Sequence, residues 1–174
     1  MKLSVALLLL ELGKAPEPPV IELLSLDQEH APVSGIRLFD GADLSDDLVY
    51  LAEPADIRPG AALPVHLLIA GSPGSDHAAG AATVGLSLRE LINGVERIFY
   101  KYNRIEAELN TAIARSDSLK TILSICARFF NNPVTLSDLR MRFIETSDNV
   151  VRDLMPGYLK VVLDTGFIDM RIMH

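Results

Sequence analysis

The chain has 174 residues, 49% of them hydrophobic and 22% charged, enough to bury a core in one domain or two small ones. Its formal net charge of −7, with no cluster of Lys and Arg, excludes a phosphate-gripping DNA or RNA surface within it. The single cysteine, Cys126, excludes an internal disulfide framework and suits a reducing cytoplasm.

The apolar run Val5 to Leu10 after Lys2 has the outline of a signal peptide, but it is short. Glu11 interrupts it, and no small-residue cleavage site precedes Lys14. It also falls well below the roughly 20 residues that a membrane-crossing helix needs. The expectation is a buried first helix capped at Ser4, with no membrane contact. Gly13 and the prolines at 16, 18 and 19 break the chain. Short β-type segments follow at Ile21–Leu26, Ile36–Phe39, Leu48–Ala52, Val65–Ile69 and Ala82–Leu86. Turn chemistry separates them at Pro32 and Gly35, Asp40-Gly41, Glu53-Pro54, Pro59-Gly60 and Gly71 to Gly74. Leu44 to Asp47 reads as one helical turn capped by Ser45. A helix followed by several strands, one of them the continuously apolar Leu67-Leu68-Ile69, predicts an α/β fold: a small N-terminal sheet covered by helices.

Ser87 to about Arg115 predicts a long amphipathic helix. Ser87 and Glu90 form an S-x-x-E capping box, flanked by Leu86 and Leu91 at staple positions. Leu88, Leu91, Val95, Ile98, Tyr102, Ile105, Leu109 and Ala112 alternate three and four apart, the coiled-coil period. A helix of about 29 residues would be roughly 43 Å long at 1.5 Å per residue, longer than a small domain needs for its own core. The expectation is therefore a dimerising linker helix, with Leu88, Leu91, Val95, Ile98, Tyr102, Ile105 and Leu109 as its seam. Ile92, Phe99 and Ile113 widen the stripe and leave room for packing on the neighbouring sheet. In a parallel homodimer Lys101 would face Glu106 of the other copy, a pair worth about 0.3–1 kcal/mol when exposed.

Ser116 and Asp117 are good caps and poor helix interior, so a fresh helix is expected from Ser118 to Phe130, stopped by Asn132-Pro133. Val134–Leu136 and Met141–Ile144 bracket Ser137 to Arg140 as a hairpin. Leu159 to Leu163 reads as a helix opened by Pro156 and stopped at Gly166. With two strands only, and an apolar segment from Phe167 to Met173 running to the end, this third region reads as a domain cut short.

The candidate chemistry is sparse. The four histidines and the one cysteine stand at no metal-ligand spacing, and no catalytic or metal residue is assigned. Gly71 to His77 resembles a glycine-rich phosphate loop but lacks the following Lys-Ser/Thr and the βαβ setting, so a surface loop is the better reading. Asp27, Asp40, Glu53 and Asp56 lie near strand ends without pairing as acid and base. His66, in an apolar strand, reads first as a half-buried, hydrogen-bonded histidine. His66 and Glu53 are the candidates for ligand contact, and no cofactor is expected.

The run Ile92-Asn93-Gly94-Val95-Glu96-Arg97-Ile98-Phe99-Tyr100-Lys101-Tyr102, then Leu119 to Phe130, then Asn132-Pro133-Val134-Thr135-Leu136-Ser137-Asp138 resembles bacterial transcriptional regulators of the PucR type. Phe143 to Ser147 resembles the strand that follows in those proteins, and Gly157 to Met173 the helical stretch after it. The resemblance covers residues 85–173, and residues 1–85 only loosely. It implies an N-terminal α/β sensor domain at 1–86, a dimerising linker helix at 87–117 and a truncated GAF-like α+β domain at 118–174. It further implies a cytoplasmic homodimer that senses an unknown small-molecule effector and contacts DNA only through a C-terminal helix-turn-helix domain, absent here. On that reading the chain is not an enzyme. Two alternatives stand beside it: a small-molecule enzyme with its active site in the N-terminal α/β domain, and a ligand-free protein-interaction adaptor.

Overall fold

Ser4 opens the first helix as its cap, accepting the N–H of Leu7 at 3.2 Å. It closes a two-residue strand, β1 (Leu3–Ser4), and leads into α1 (Val5–Leu12). The structure is a computed structural model, and it describes residues 2–23, 32–58, 60–72, 81–140, 142–148 and 164–166. Residues 24–26 of the first expected strand, Asp27, most of the Gly71–His77 loop, the Leu159–Leu163 helix and the Phe167–Met173 segment lie outside the described residues.

The strands continue as β2 (Ile21–Leu23), β3 (Pro32–Val33), β4 (Gly35–Leu38), β5 (Leu48–Ala52), β6 (Leu67–Ala70) and β7 (Ala81–Val84). Strands β4 to β7 run parallel in chain order, and β2 closes the far edge antiparallel to β7, giving the five-stranded order β2-β7-β6-β5-β4. β1 and β3 form a separate antiparallel pair. Parallel neighbours are usually joined through a helix. Here the described parts of the crossovers hold no α-helix, only a 3-10 turn at Pro54–Asp56. The expected helical turn at Leu44–Asp47 is instead a hydrogen-bonded turn, closed by Leu48 N–H on the Ser45 carbonyl at 3.4 Å. The buried Tyr50 hydroxyl accepts the Ser45 N–H at 2.8 Å and donates to the Asp43 carbonyl at 3.1 Å, which draws the segment out of helical pairing.

Alternation along the strands sorts the core into two faces. One carries Phe39, Tyr50, Ala52, Leu67 and Ile69, edged by Leu48, Ile57 and Leu63, with Phe39 and Tyr50 edge to face at 6.4 Å. The other carries Val49, Leu51, Leu68, Ala70 and Val84, all buried. The helical stripes available to cover it, among the described residues, belong to α1 (Val5, Leu8, Leu9, Leu12) and to α2 (Leu88–Ala114). The two helices approach closely at Gly94. A Cβ there would stand 2.8 Å from Leu12 Cδ2, so a glycine lets Leu12 seat against α2.

α2 starts with both halves of its capping box made: Glu90 N–H reaches Ser87 Oγ at 3.4 Å, and Ser87 N–H reaches Glu90 Oε2 at 3.0 Å. It ends where Ser116 takes a left-handed conformation (φ 55°), with Ser116 N–H on Ile113 and Asp117 N–H on Ala112, both at 2.9 Å. Ser118 then caps α3 (Leu119–Phe130), accepting the Thr121 N–H at 3.2 Å. α3 stops before Asn132-Pro133 because Asn131 is itself left-handed (φ 51°), and Asn132 N–H returns to Ala127 at 3.2 Å. β8 (Thr135–Ser137) and β9 (Phe143–Thr146) form the expected hairpin, with a register shift at Leu136/Ser137.

The chain divides into two compact units, Met1–Asn103 and Arg104–His174, and the division falls inside α2. Within the first unit the expected dimer seam is corrected. Leu91 and Val95 have no exposed surface, and Ile98 and Tyr102 are buried too, so these four spend their apolar surface inside their own chain. A residue without exposed area offers a second copy nothing to cover. Leu88, Ile105 and Leu109 are half-buried, and Ile113 is 61% exposed. The Lys101 ammonium, expected to face Glu106 of another copy, lies 2.6 Å from Glu11 of the same chain.

Candidate functional site

The structure does not bring His66 and Glu53 together. Parallel pairing of Tyr50 with Leu67 and of Ala52 with Ile69 sets His66 level with Val49 and Glu53 level with Ala70. The two thus stand at opposite edges of the sheet, roughly 13 Å apart along the strands at about 3.3 Å per residue. Glu53 is exposed, and its N–H donates to Asp56 Oδ2 at 2.9 Å as part of the 3-10 turn. His66 is 4% exposed, more deeply buried than its sequence setting implied, and its Nε2 has no hydrogen-bond partner. Burial lowers its pKa, opposed by the charge and backbone of Asp46. The ring is a neutral, buried imidazole at the amino edge of the sheet.

Among the described residues of the first unit, two cavities are of about 400 Å³. The first sits at the carboxyl edge of β4 and β5, where parallel sheets commonly hold ligands, and is lined by Phe39, Asp40, Gly41, Asp56 and Arg58. Its carboxylates are already engaged. Asp40 accepts the Ala42 N–H at 3.0 Å and an Arg37 Nη at 3.3 Å, and Asp56 accepts the Glu53 N–H. The Ala42 hydrogen bond holds the Asp40 carboxyl below its ordinary value.

The second cavity is a groove between the end of α1 and the first turns of α2. Leu12, Pro19, Leu86 and Ile98 supply its apolar surface, with Gly94 also in its lining. Charged groups edge it. Glu11 is fixed by Lys14 at 2.5 Å and Lys101 at 2.6 Å. Burial acts to raise the Glu11 carboxyl, but the hydrogen bonds and charge of the two lysines prevail and hold it below its ordinary value. Beside it, burial first and the Glu11 carboxylate second push the Tyr102 hydroxyl up to about 12. Glu90 is occupied by the backbone and hydroxyl of Ser87.

The groove was not foreseen. Its residues come from 11–19 and 86–98, and periodicity alone treats Leu91, Val95 and Ile98 as one seam without saying what covers it. A helical glycine at 94, inside an otherwise regular amphipathic segment, is the sequence signal from which the close approach could have been read. No cluster of three His, Cys, Asp or Glu residues able to hold a metal occurs among the described residues, and none of their helices is long and apolar enough to cross a membrane. Comparison with known protein families, with curated proteins and with solved structures gives no match for this chain.

Proposed function

We infer that this chain is the ligand-sensing region of a cytoplasmic transcriptional regulator of the PucR type, with a small-molecule effector held in the groove between α1 and α2. One observation carries the reading. α2 lends Glu90, Gly94, Arg97 and Ile98 to the groove and continues unbroken to Ala114, past the division between the two units. A ligand in the groove touches the helix that both units share. It shifts the packing of that helix by as much as its affinity differs between two arrangements.

The GAF-like assignment of the second unit draws on its Asn132 to Asp138 stretch. There Val134 N–H bonds Ser147 Oγ at 3.0 Å, and Asp138 gathers the N–H groups of Arg140 and Arg142 at 2.9 Å each to make the hairpin turn. A strand and turn at Asn132 to Asp138 are what the resemblance implies. Coiled-coil-like pairing into a homodimer is narrowed to the later part of α2, where Ile105 and Leu109 are half-buried and Ile113 is exposed. DNA contact in such a regulator belongs to a separate helix-turn-helix domain, and the acidic balance here suits the sensing part.

The test is thermal-shift screening with purines, sugar acids and aromatic acids, because a ligand that binds only the folded state raises the melting temperature. The expected result is a shift from one class that Ala15→Trp, which fills the groove from its exposed rim, abolishes. No shift from any class, or a shift that the tryptophan leaves intact, overturns the assignment.

A further inference from the structure

We propose that the α1–α2 groove takes a small monocarboxylate with an apolar body, its carboxylate on Arg97 and its body on Leu12, Leu86 and Ile98. The proposal rests on the sensing reading above and narrows its ligand.

The charges around the groove are unequal in what they have left to offer. The carboxylate of Glu11 is taken by two lysines, and that of Glu90 by Ser87. Lys14 and Lys101 are in turn committed to Glu11. Arg97 differs. It lines the groove, its Nε donates to the Asn93 carbonyl at 3.2 Å, one turn back along α2, and its terminal nitrogens have no acidic partner among the described residues. A guanidinium with both ends of its fork free matches a carboxylate with two parallel hydrogen bonds.

The remaining surface sets the rest of the ligand. Leu12 and Ile98 are buried, and Leu86 and Pro19 half-buried, so the body of the ligand meets carbon. The hydroxyls of a sugar acid, or the ring nitrogens of a purine, would lose water there without gaining donors or acceptors. A second negative charge is also disfavoured. Glu17 lies exposed on the rim, with no partner for its carboxylate among the described residues, and its repulsion grows with each charge, so a second carboxylate without an arginine of its own adds cost and no bond.

Four probes test this on the whole chain: phenylacetate, its neutral isostere phenylacetamide, the dianion glucarate, and hypoxanthine. Phenylacetate well above its Kd is expected to raise Tm on the order of 2–4 °C, and the other three to leave it unchanged. Arg97→Gln is expected to abolish the phenylacetate shift, and Arg97→Lys to keep part of it. Arg97 is exposed, and an unliganded Tm equal to that of the parent shows that both variants fold. Equal shifts from phenylacetate and phenylacetamide, or a full shift in Arg97→Gln, overturn the proposal. A shift from glucarate or hypoxanthine alone, abolished by Ala15→Trp, overturns the ligand class and leaves the sensing assignment standing. No Ala15→Trp-sensitive shift from any probe overturns both.

Discussion

The carboxylate of Glu11, near the end of α1, meets the ammonium of Lys101 on α2 at 2.6 Å, and only 8% of the Glu11 side chain reaches solvent. Lys14 shares the same carboxylate at 2.5 Å, and the buried Tyr102 hydroxyl lies beside it. One acid residue thus fastens the short first helix to the long one, across ninety positions of sequence. A nearly buried carboxylate is costly alone. With two cations and a hydroxyl around it, it fixes where α1 sits along α2.

Glu11→Ala is expected to cost about 1–3 kcal/mol in urea unfolding at pH 7, because it strands a buried hydroxyl and removes charged hydrogen bonds. Lys101→Ala, at a side chain 45% exposed, is expected to cost less than about 1 kcal/mol. The Glu11 carboxyl is held below its ordinary value of 4.5, so the unfolded chain takes up its proton first. Its contribution is present above that value and is lost as pH falls below it. Glu11→Ala should therefore flatten the acid side of the stability curve. An unchanged acid slope would show that the Glu11 charge does not stabilise the contact.

Tyr102 gives the opposite sign at the opposite end of the scale. Burial and the adjacent carboxylate raise its hydroxyl from 10.0 to about 12, so the unfolded chain loses this proton first. Stability from the neutral hydroxyl is complete below pH 10 and lost as pH rises toward 12. Tyr102→Phe is expected to remove that alkaline loss in denaturant titrations at pH 9 and pH 11. Retention of the same loss by the phenylalanine variant would assign it to other groups.

His66 concerns the amino edge of the sheet. Burial holds the imidazole below its ordinary value of 6.5, with Asp46 opposing, so the unfolded chain binds the proton first and stability falls as pH drops below 6.5. Its buried Nε2 lacks a partner, which costs about 1–3 kcal/mol for a typical polar atom. His66→Leu is expected to lie within about 1 kcal/mol of the parent at pH 7.5, since loss of the orphan offsets imperfect packing. At pH 5.5 the variant should be the more stable of the two. Urea midpoints at both pH values check this, and a parallel decline in parent and variant would refute it.

Much of the fold was readable because the signals were local. Ser4, the Ser87/Glu90 box and Ser118 each mark a helix start by a hydrogen bond made within three residues, and Leu48–Ala52 forms a strand at its expected limits. What could not be read was long-range. Strand order and direction place His66 and Glu53 at opposite edges, and no pattern within either segment encodes that. The contact of Lys101 with Glu11 depends on where α1 packs, and the same lysine fits a coiled-coil edge equally well on paper. The end of α3 at Phe130, by contrast, matches the expected limit, and Asn131 closes it by entering the left-handed region.

The two halves of α2 answer differently to a charge. Val95 has no exposed surface in the first unit, so Val95→Asp buries a carboxylate against carbon and is expected to cost more than about 3 kcal/mol. Such a loss should appear as unfolding, with reduced helical circular dichroism at 25 °C, and not as clean dissociation. Ile113 is 61% exposed, so Ile113→Asp should leave the melting temperature within a few degrees. If the later part of α2 pairs between copies, Ile113→Asp halves the mass seen in analytical ultracentrifugation while the helical signal holds. A parent that sediments as a monomer removes the paired helix from the proposed relay. The effector would then have to act through the packing of α2 on its own chain.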